Sequence, residues 1–370
     1  MFERPAERPS MAPIASRFAL LDGIRGVAAI LVLTRHTSTL WTHWFFRSYL
    51  AVDVFFVLSG FVIGHAYDRK LATGALSPLE FLRTRLIRLY PVYALSALLC
   101  GAIFVGKSFL HGASPRDEAV ASIGVVVASL FFLPAPHPST AALFPTNNPY
   151  WSLFFELVAN AVYGALRRAA GARALVATLV VSGTLVAISA ARASGLNVGY
   201  DFGVESIVAG AARSVFGIGV VLALFHHRDA LLAALPRFVV PWVAAAGIVL
   251  ALVLPPLGGF DAAIDLAMVF VVFPLGVVAA SRPVNARFAK VLGWLGSASY
   301  PVYVLHVPLY SLIAFVGKGR EQAYAPAIGL VFVVALILGS VVLEERFDVP
   351  VRRWLTERAK VRPRAVPVPA

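Results

Sequence analysis

Charge and cysteine are what this chain has least of. Cys100 is its only cysteine, which excludes an intrachain disulfide and any cysteine-based metal centre. Charged residues make up 14% of the 370, where an ordinary soluble domain carries about 25%. Acidic residues are the scarcer sign, 19 against 32 Lys and Arg, for a net charge of +13. No Gly-rich phosphate loop, HExxH helix, Cys/His zinc spacing or Gly-x-Ser-x-Gly elbow occurs. Walker-type nucleotide hydrolysis, zinc chemistry and the serine-hydrolase elbow therefore lack their signatures, and no metal is expected.

Apolar residues are abundant instead. They form 59% of the chain and its mean hydropathy is +0.80, the composition of a polytopic membrane protein in a lipid bilayer. Runs of spanning length fall near 18–41, 48–67, 87–106, 150–166, 174–191, 206–225, 238–256, 261–281, 294–316 and 325–344. A further piece, Ala119 to Pro134, is short enough to read as re-entrant or interfacial. The first 18 residues lack a cleavable signal pattern, so the first span is expected to serve as the signal. With the N-terminus inside and 119–134 not crossing, one side collects Arg4, Arg8, Arg17, Arg69, Lys70, Arg83, Arg85, Arg88, Arg167, Arg168 and Arg173. The same side then collects Arg228, Arg237, Arg282, Arg287, Lys290 and the basic tail. The positive-inside rule makes that side cytoplasmic, so the excess cation needs no nucleic acid to explain it. The expected fold is an all-α integral membrane bundle of about ten transmembrane helices with both termini cytoplasmic. The outer connection, Lys107 to Asn148, ends in PAPHPSTAALFPTNNP, whose prolines predict a structured loop over a site. Beyond Val361, RPRAVPVPA reads as a disordered tail.

Ionisable residues inside apolar runs are candidates for function. The first run holds Arg25 and His36 with ten residues between them, roughly 16 Å along a helix. A neutral imidazole at that place can take the proton of an acceptor hydroxyl. Glu156, six residues into PYWSLFFELVANAVY, lies at nearly the depth of His36 and is expected to pair with it between helices. Arg83, Arg85 and Arg88 in LEFLRTRLIRLYP serve either as topology signals or as a guanidinium cluster for phosphates. Asp53 and Ser59 sit in the second run. His306 is mid-span between Pro301 and Pro308, where two kinks are expected. Arg35 is given no role, and His226 and His227 read as solvated loop residues.

LDGIRGVAAILVLTRH, AVDVFFVLSGFVI, FLRTRLIRLYP, YWSLFFE, SYPVYVLH and ERFDVPVRR resemble, in that order, the signatures of the acyltransferase 3 family. Those bacterial membrane enzymes acylate hydroxyls of O-antigen, exopolysaccharide, Nod factor or macrolides. The resemblance runs from about Leu21 to Arg353. This chain reads Ala51-Val52-Asp53 where many members have Gly-Val-Asp, and Thr84-Arg85 where they have Arg-Arg. It implies a cytoplasmic segment 1–17, an acyltransferase 3-like transmembrane domain 18–346 and a basic cytoplasmic tail 347–370. It also implies that His36 is the catalytic base, with Arg25 and Glu156 beside it, and that Arg83, Arg85 and Arg88 bind acyl-CoA. Trp151, Ser152, Ser59, Asp53, Tyr300 and His306 fall in the matching blocks as substrate-binding, relay or structural candidates. An acyl-CoA donor, acetyl by default, a carbohydrate or glycosylated acceptor and a location in the bacterial inner membrane follow from the same likeness. The family's C-terminal hydrolase-like domain has no counterpart, so the membrane unit is expected to act alone or with a separate partner. The competing class is a transporter or solute carrier, which also uses buried polar residues and kinked helices; no internal repeat or mid-membrane acidic cluster supports it.

Overall fold

The structure is a computed structural model that describes residues 18–41, 45–111, 115–234, 236 and 240–360. Arg4, Arg8 and Arg17 of the N-terminus, Arg237, and Arg362 and Arg364 of the C-terminus lie outside the described residues. The described chain is helical, and its only β features are two isolated bridges. In chain order the helices are α1 (Ala19–His36), α2 (Ala51–Ala66), α3 (Asp68–Ala72), α4 (Pro78–His111) and α5 (Pro115–Leu130). Next come α6 (Tyr150–Leu166), α7 (Ala172–Ala193), α8 (Val204–Phe225), α9 (Arg228–Ala233) and α10 (Val240–Val253). The last are α11 (Asp261–Ala267), α12 (Phe273–Ala280), α13 (Ala286–Gly317), α14 (Ala327–Leu343) and α15 (Val349–Lys360). A π turn, Met268–Val272, joins α11 to α12, and a second, Glu344–Asp348, joins α14 to α15.

Seven stretches among the described residues are long and apolar enough to cross a membrane: Phe46–Ala66, Pro78–Lys107, Ala172–Ala193, Val204–Phe225, Gly258–Ala280, Arg287–Gly317 and Ala327–Ala359. Each of the ten expected apolar runs contains helix among the described residues, but three fall outside this set for plain reasons. The helix α1 carries Asp22, Arg25 and Arg35, while α6 has 17 residues and α10 has 14. Large side chains such as Val180, Val181, Leu330 and Val331 point outward from α7 and α14. An apolar perimeter of this kind needs lipid around it. The chain is a multi-pass membrane protein.

Contacts fix the helix directions. Phe18 packs on Phe61 and His65, so the start of α1 meets the end of α2; we call this the lower end and the His36 end the upper. The helix α8 runs parallel to α2, with Asp53 on Arg213 and Gly60 against Ile218. Gly183 faces Phe216 and Arg192 meets Glu205, so α7 is antiparallel to α8. The helix α13 runs parallel to both α1 and α4. Gly23 faces Leu292 and His36 faces His306, while Tyr300 donates to the Leu89 carbonyl and Ser96 to that of Val304. From the upper end α5 descends beside α4 until Tyr93 donates to Ser129 O; residues 131–143 climb back to join the 194–203 loop, and the chain then dips again to Tyr150, beside Tyr93. The short apolar piece therefore returns to the side it left. Pro301 and Pro308 lie inside one continuous assigned helix, α13.

Close helix contacts depend on missing side chains. A Cβ at Gly60 would sit 2.4 Å from Ile218 O and 2.9 Å from its Cα, so the backbones of α2 and α8 meet there. A Cβ at Gly247, by contrast, would meet nothing within 4 Å. Gly60→Ala should therefore lower stability by ~1–3 kcal/mol through overpacking. Gly247→Ala in α10 should be neutral or raise it by up to about 1 kcal/mol. Thermal unfolding of the detergent-solubilised variants checks this; equal melting points would refute the close approach of α2 to α8.

Candidate active site

Four helices each turn one stripe of side chains toward a common space. From within one or two turns of each helix, α2 presents Phe55, Ser59 and Val62; α4 presents Arg85, Arg88 and Leu89; α6 presents Ser152, Leu153 and Glu156; α13 presents Ser299, Tyr300 and Tyr303. With Arg25 from α1 they enclose a chamber of about 130 Å³. A wider vestibule of about 430 Å³ at the lower end, lined by Phe18, Asp22, His65 and Glu344, shares Arg25, Leu58, Val62 and Arg88 with it. The two form one passage from the lower end into the bundle.

The guanidinium groups are not equivalent. Arg85 is buried and donates through Nη2 to Glu156 Oε1 and, at 3.1 Å, to Ser59 Oγ, which itself donates to Glu156 Oε1 at 2.7 Å. Arg25 donates to Asp22 Oδ1 at 2.5 Å and to Ser299 Oγ at 3.1 Å, which braces α1 against α13. Arg83, about 200° round the helix from Arg85, is exposed and donates to Ala359 O instead of lining the passage. Arg88 makes no hydrogen bond or ion pair with the described residues and lines both chamber and vestibule. Of the three arginines taken together in the sequence, one faces away, one is committed to Glu156 and one is available.

Above this lies a second tier. His36 and His306 face each other with ring centroids 5.2 Å apart. His36 Nδ1 is 2.9 Å from Val32 O, and His306 Nδ1 is 3.0 Å from Val302 O. A carbonyl only accepts, so each Nδ1 carries a proton, and in the neutral form of either ring the lone pair sits on Nε2. His306 Nε2 is buried without a partner among the described residues. Tyr303 stands between the tiers, edge-on to Phe55 at 5.3 Å, with its hydroxyl 2.6 Å from Ser152 Oγ. The six residues of α13 from Tyr300 to His306 separate the tiers by about 9 Å.

The expected His36–Glu156 pair is thus replaced by two others, His36 with His306 and Glu156 with Arg85. The depth of Glu156 explains why. The helix α6 starts well inside the bundle, where Tyr150 donates to Ser96 Oγ, and a further turn and a half carries Glu156 down to the arginine tier. Asp53 is held by Arg213 through two bonds of 3.0 and 2.6 Å, with Trp151 at 5.3 Å from the guanidinium. Arg213 escaped the sequence reading, as did Asp265, which accepts from Arg47 at 2.5 Å and Tyr49 at 2.8 Å. Arg213 is the lone ionisable residue of its apolar run and Asp265 shares its run only with Asp261, and that signal was available. Arg35 donates to Phe46 O at 3.1 Å and lies over the Tyr49 ring, tying the upper end of α1 to the turn before α2.

Residues 18–344 match the model of the acyltransferase 3 family, described as an acyltransferase domain. The chain belongs to that family. It is 30% identical over 292 residues to the exopolysaccharide production protein ExoZ of Rhizobium meliloti (strain 1021), covering 76% of this chain and 83% of that protein. It is 44% identical over 184 residues to protein 2 in the picA locus of Rhizobium radiobacter, 48% of this chain and 96% of that one. With the acyltransferase MdmB of Streptomyces mycarofaciens it shares 31% over 160 residues, 40% of this chain and 38% of that one. No solved structure matches the chain. Among the described residues no group of His, Cys, Asp and Glu is placed to hold a metal ion.

The acyltransferase unit relies on Glu156 to neutralise Arg85. Glu156→Ala leaves a buried guanidinium unpaired and should cost ~3–5 kcal/mol. Glu156→Leu combined with Arg85→Met should regain most of that loss. Melting curves of the single and double variants decide it, and a double variant no more stable than Glu156→Ala would show that the pair does not act as a unit.

Proposed function

We propose that this acyltransferase moves an acyl group, acetyl by default, from cytoplasmic acyl-CoA to a hydroxyl of a glycan, polysaccharide or glycosylated small molecule. The transfer takes place across the bacterial inner membrane. The observation that carries the reading is the two-tier passage, which has an available arginine at its lower entrance and, above its inner end, a pair of histidines that each bond a carbonyl through Nδ1. The helix directions favour ten crossings, with the lower end in the cytoplasm and both termini there. The same end holds Arg69, Lys70, Arg83, Arg167 and Arg282. A polysaccharide acceptor agrees with the name of ExoZ.

In this mechanism Arg88 takes the phosphates of acyl-CoA, since Arg25 and Arg85 already have carboxylates. The acids at the vestibule are themselves engaged, Asp22 by Arg25 and Glu344 by Arg352. The rise from Arg25 to His36, roughly 16 Å, suits a pantetheine arm of about 15–20 Å. Tyr303 and Phe55 must yield before the thioester meets His36. His36 Nε2 then takes the proton of the acceptor hydroxyl as its oxygen attacks the thioester carbonyl. The carbon–sulfur bond breaks, and His36 returns the proton to the departing CoA thiolate.

His36→Ala should abolish transfer from acetyl-CoA while the protein still inserts and purifies as a stable species. Turnover near that of the parent would sink the base assignment. Arg88→Ala should raise KM for acyl-CoA about tenfold or more, the loss of ~1.5 kcal/mol of charged hydrogen bonding. Arg83→Ala should leave KM close to the parent value. Steady-state kinetics on both variants test the separation, and equal KM values would return Arg88 to a purely topological role.

A further inference from the structure

The bundle has a second continuous hollow on its outside, along the seam of α7 and α8. At the upper end it is a pocket of about 390 Å³ that includes Leu185 and Val208. The same two residues open into a middle section of about 490 Å³, walled by Ala177, Val181, Ser182 and Ala211. Thr178 and Val215 carry it on into a lower section of about 380 Å³. From Gly171 to Arg192 the seam rises about 32 Å, close to the ~30 Å hydrocarbon core of a bilayer. Its walls are apolar over most of that height, and α7 is only 22% buried, so the groove opens sideways to lipid.

The upper end changes character. Asn197, Tyr200 and Asp201 from the 194–203 loop join Arg192 and Glu205 there. The Arg192–Glu205 pair, 2.8 Å long, is exposed, and such a pair exchanges for other polar partners at little cost. Asn197 and Asp201 make no side-chain hydrogen bond among the described residues. Planar amide, carboxylate and guanidinium groups around one aromatic ring match the alternating hydroxyls and C–H faces of a sugar.

The loop that carries them is held in place. Asp265 accepts from Leu196 N, Tyr200 O accepts from Leu143 N, and Ser206 Oγ accepts from the amides of Gly199 and Asp201. Gly199 has φ +113°, and a Cβ there would lie 3.0 Å from both Gly210 Cα and the Trp151 ring, so the loop presses onto α8 and α6.

We propose that the α7–α8 groove binds a sugar-bearing membrane lipid, with its chain along Val181, Ala211 and Val215 and its saccharide head among Asn197, Tyr200, Asp201 and Glu205. The acceptor class is then a lipid-linked saccharide. This rests on the acyl-transfer reading for its meaning, but its test reads binding alone. The protein is made in its own bacterium with p-benzoylphenylalanine introduced at Val181 in the groove or, as control, at outward-facing Val334 on α14. Intact cells are illuminated and the lipid adducts identified by mass spectrometry. Sugar-headed lipid should be enriched about tenfold at Val181 over Val334, the preference that ~1.4 kcal/mol of headgroup contacts supplies. Asp201→Ala with Glu205→Ala should erase the enrichment while a lipid adduct persists. Ordinary phospholipid in equal proportion at both positions, or cross-linking of a second copy of the chain, overturns the proposal. Thermal protection by acetyl-CoA, measured on the same preparation, scores the acyl-transfer reading separately.

Discussion

A charge inside this bundle cannot be left to water, so each must find its counter-charge or face a passage. That one constraint accounts for most of the architecture. Arg213 takes Asp53, Arg47 takes Asp261 and Asp265, Arg85 takes Glu156 and Arg25 takes Asp22. All but the last join segments distant in sequence, so each pair fixes the rotation of one helix against another. Apolar packing alone would fix it poorly, because lipid competes for the same surfaces. Among the described residues, Arg88 is a passage-lining guanidinium with no ion pair, and His306 keeps a buried imidazole nitrogen with no partner.

The central position of α2 follows from the same pairs. It meets Arg213 of α8 through Asp53 and the Arg85–Glu156 pair of α4 and α6 through Ser59, and it approaches α8 backbone to backbone at Gly60. One face of α2 thus lines the inner chamber, while α8, on its other side, lines the lateral groove with its far face. The inner passage and the lateral groove are separated by two parallel helices that are themselves locked by a buried ion pair. The separation suits a reaction whose donor and acceptor enter from different phases.

Much of this was legible in the sequence, and the parts that were not share a cause. Apolar runs gave the helices. Arg25, Ser59, Arg85, Arg88, Ser152, Glu156 and Tyr300, picked out separately along the chain, line one chamber. What sequence could not supply is depth and facing. Counting Glu156 from the start of its apolar run assumes that the run starts at the membrane surface, whereas Tyr150 is already buried against Ser96. Arg83 and Arg85 look alike in a motif, yet two residues on a helix are opposite faces. Arg213 and Asp265 were passed over because a charge in an apolar run names no partner, and theirs lie 160 and 218 residues away.

Arg213 shows why a residue remote from both histidines can still bear on the chemistry. Its guanidinium holds Asp53 of α2 and lies beneath Trp151 of the Trp-Ser-Leu motif. It also donates to Val198 O at 2.5 Å, in the loop that carries Tyr200 and Asp201. A single buried cation therefore sets α2, the start of α6 and the upper loop relative to one another. Ser152, next to Trp151, meets Tyr303, the side chain that parts the arginine tier from the histidines. Movement of Tyr303 to admit a thioester would press on Ser152 and the first turn of α6, and through Trp151 on Arg213 and the loop at the groove. The pieces that would hold donor and acceptor are thus packed around the same guanidinium, which makes their relative position a property of the fold before either substrate arrives.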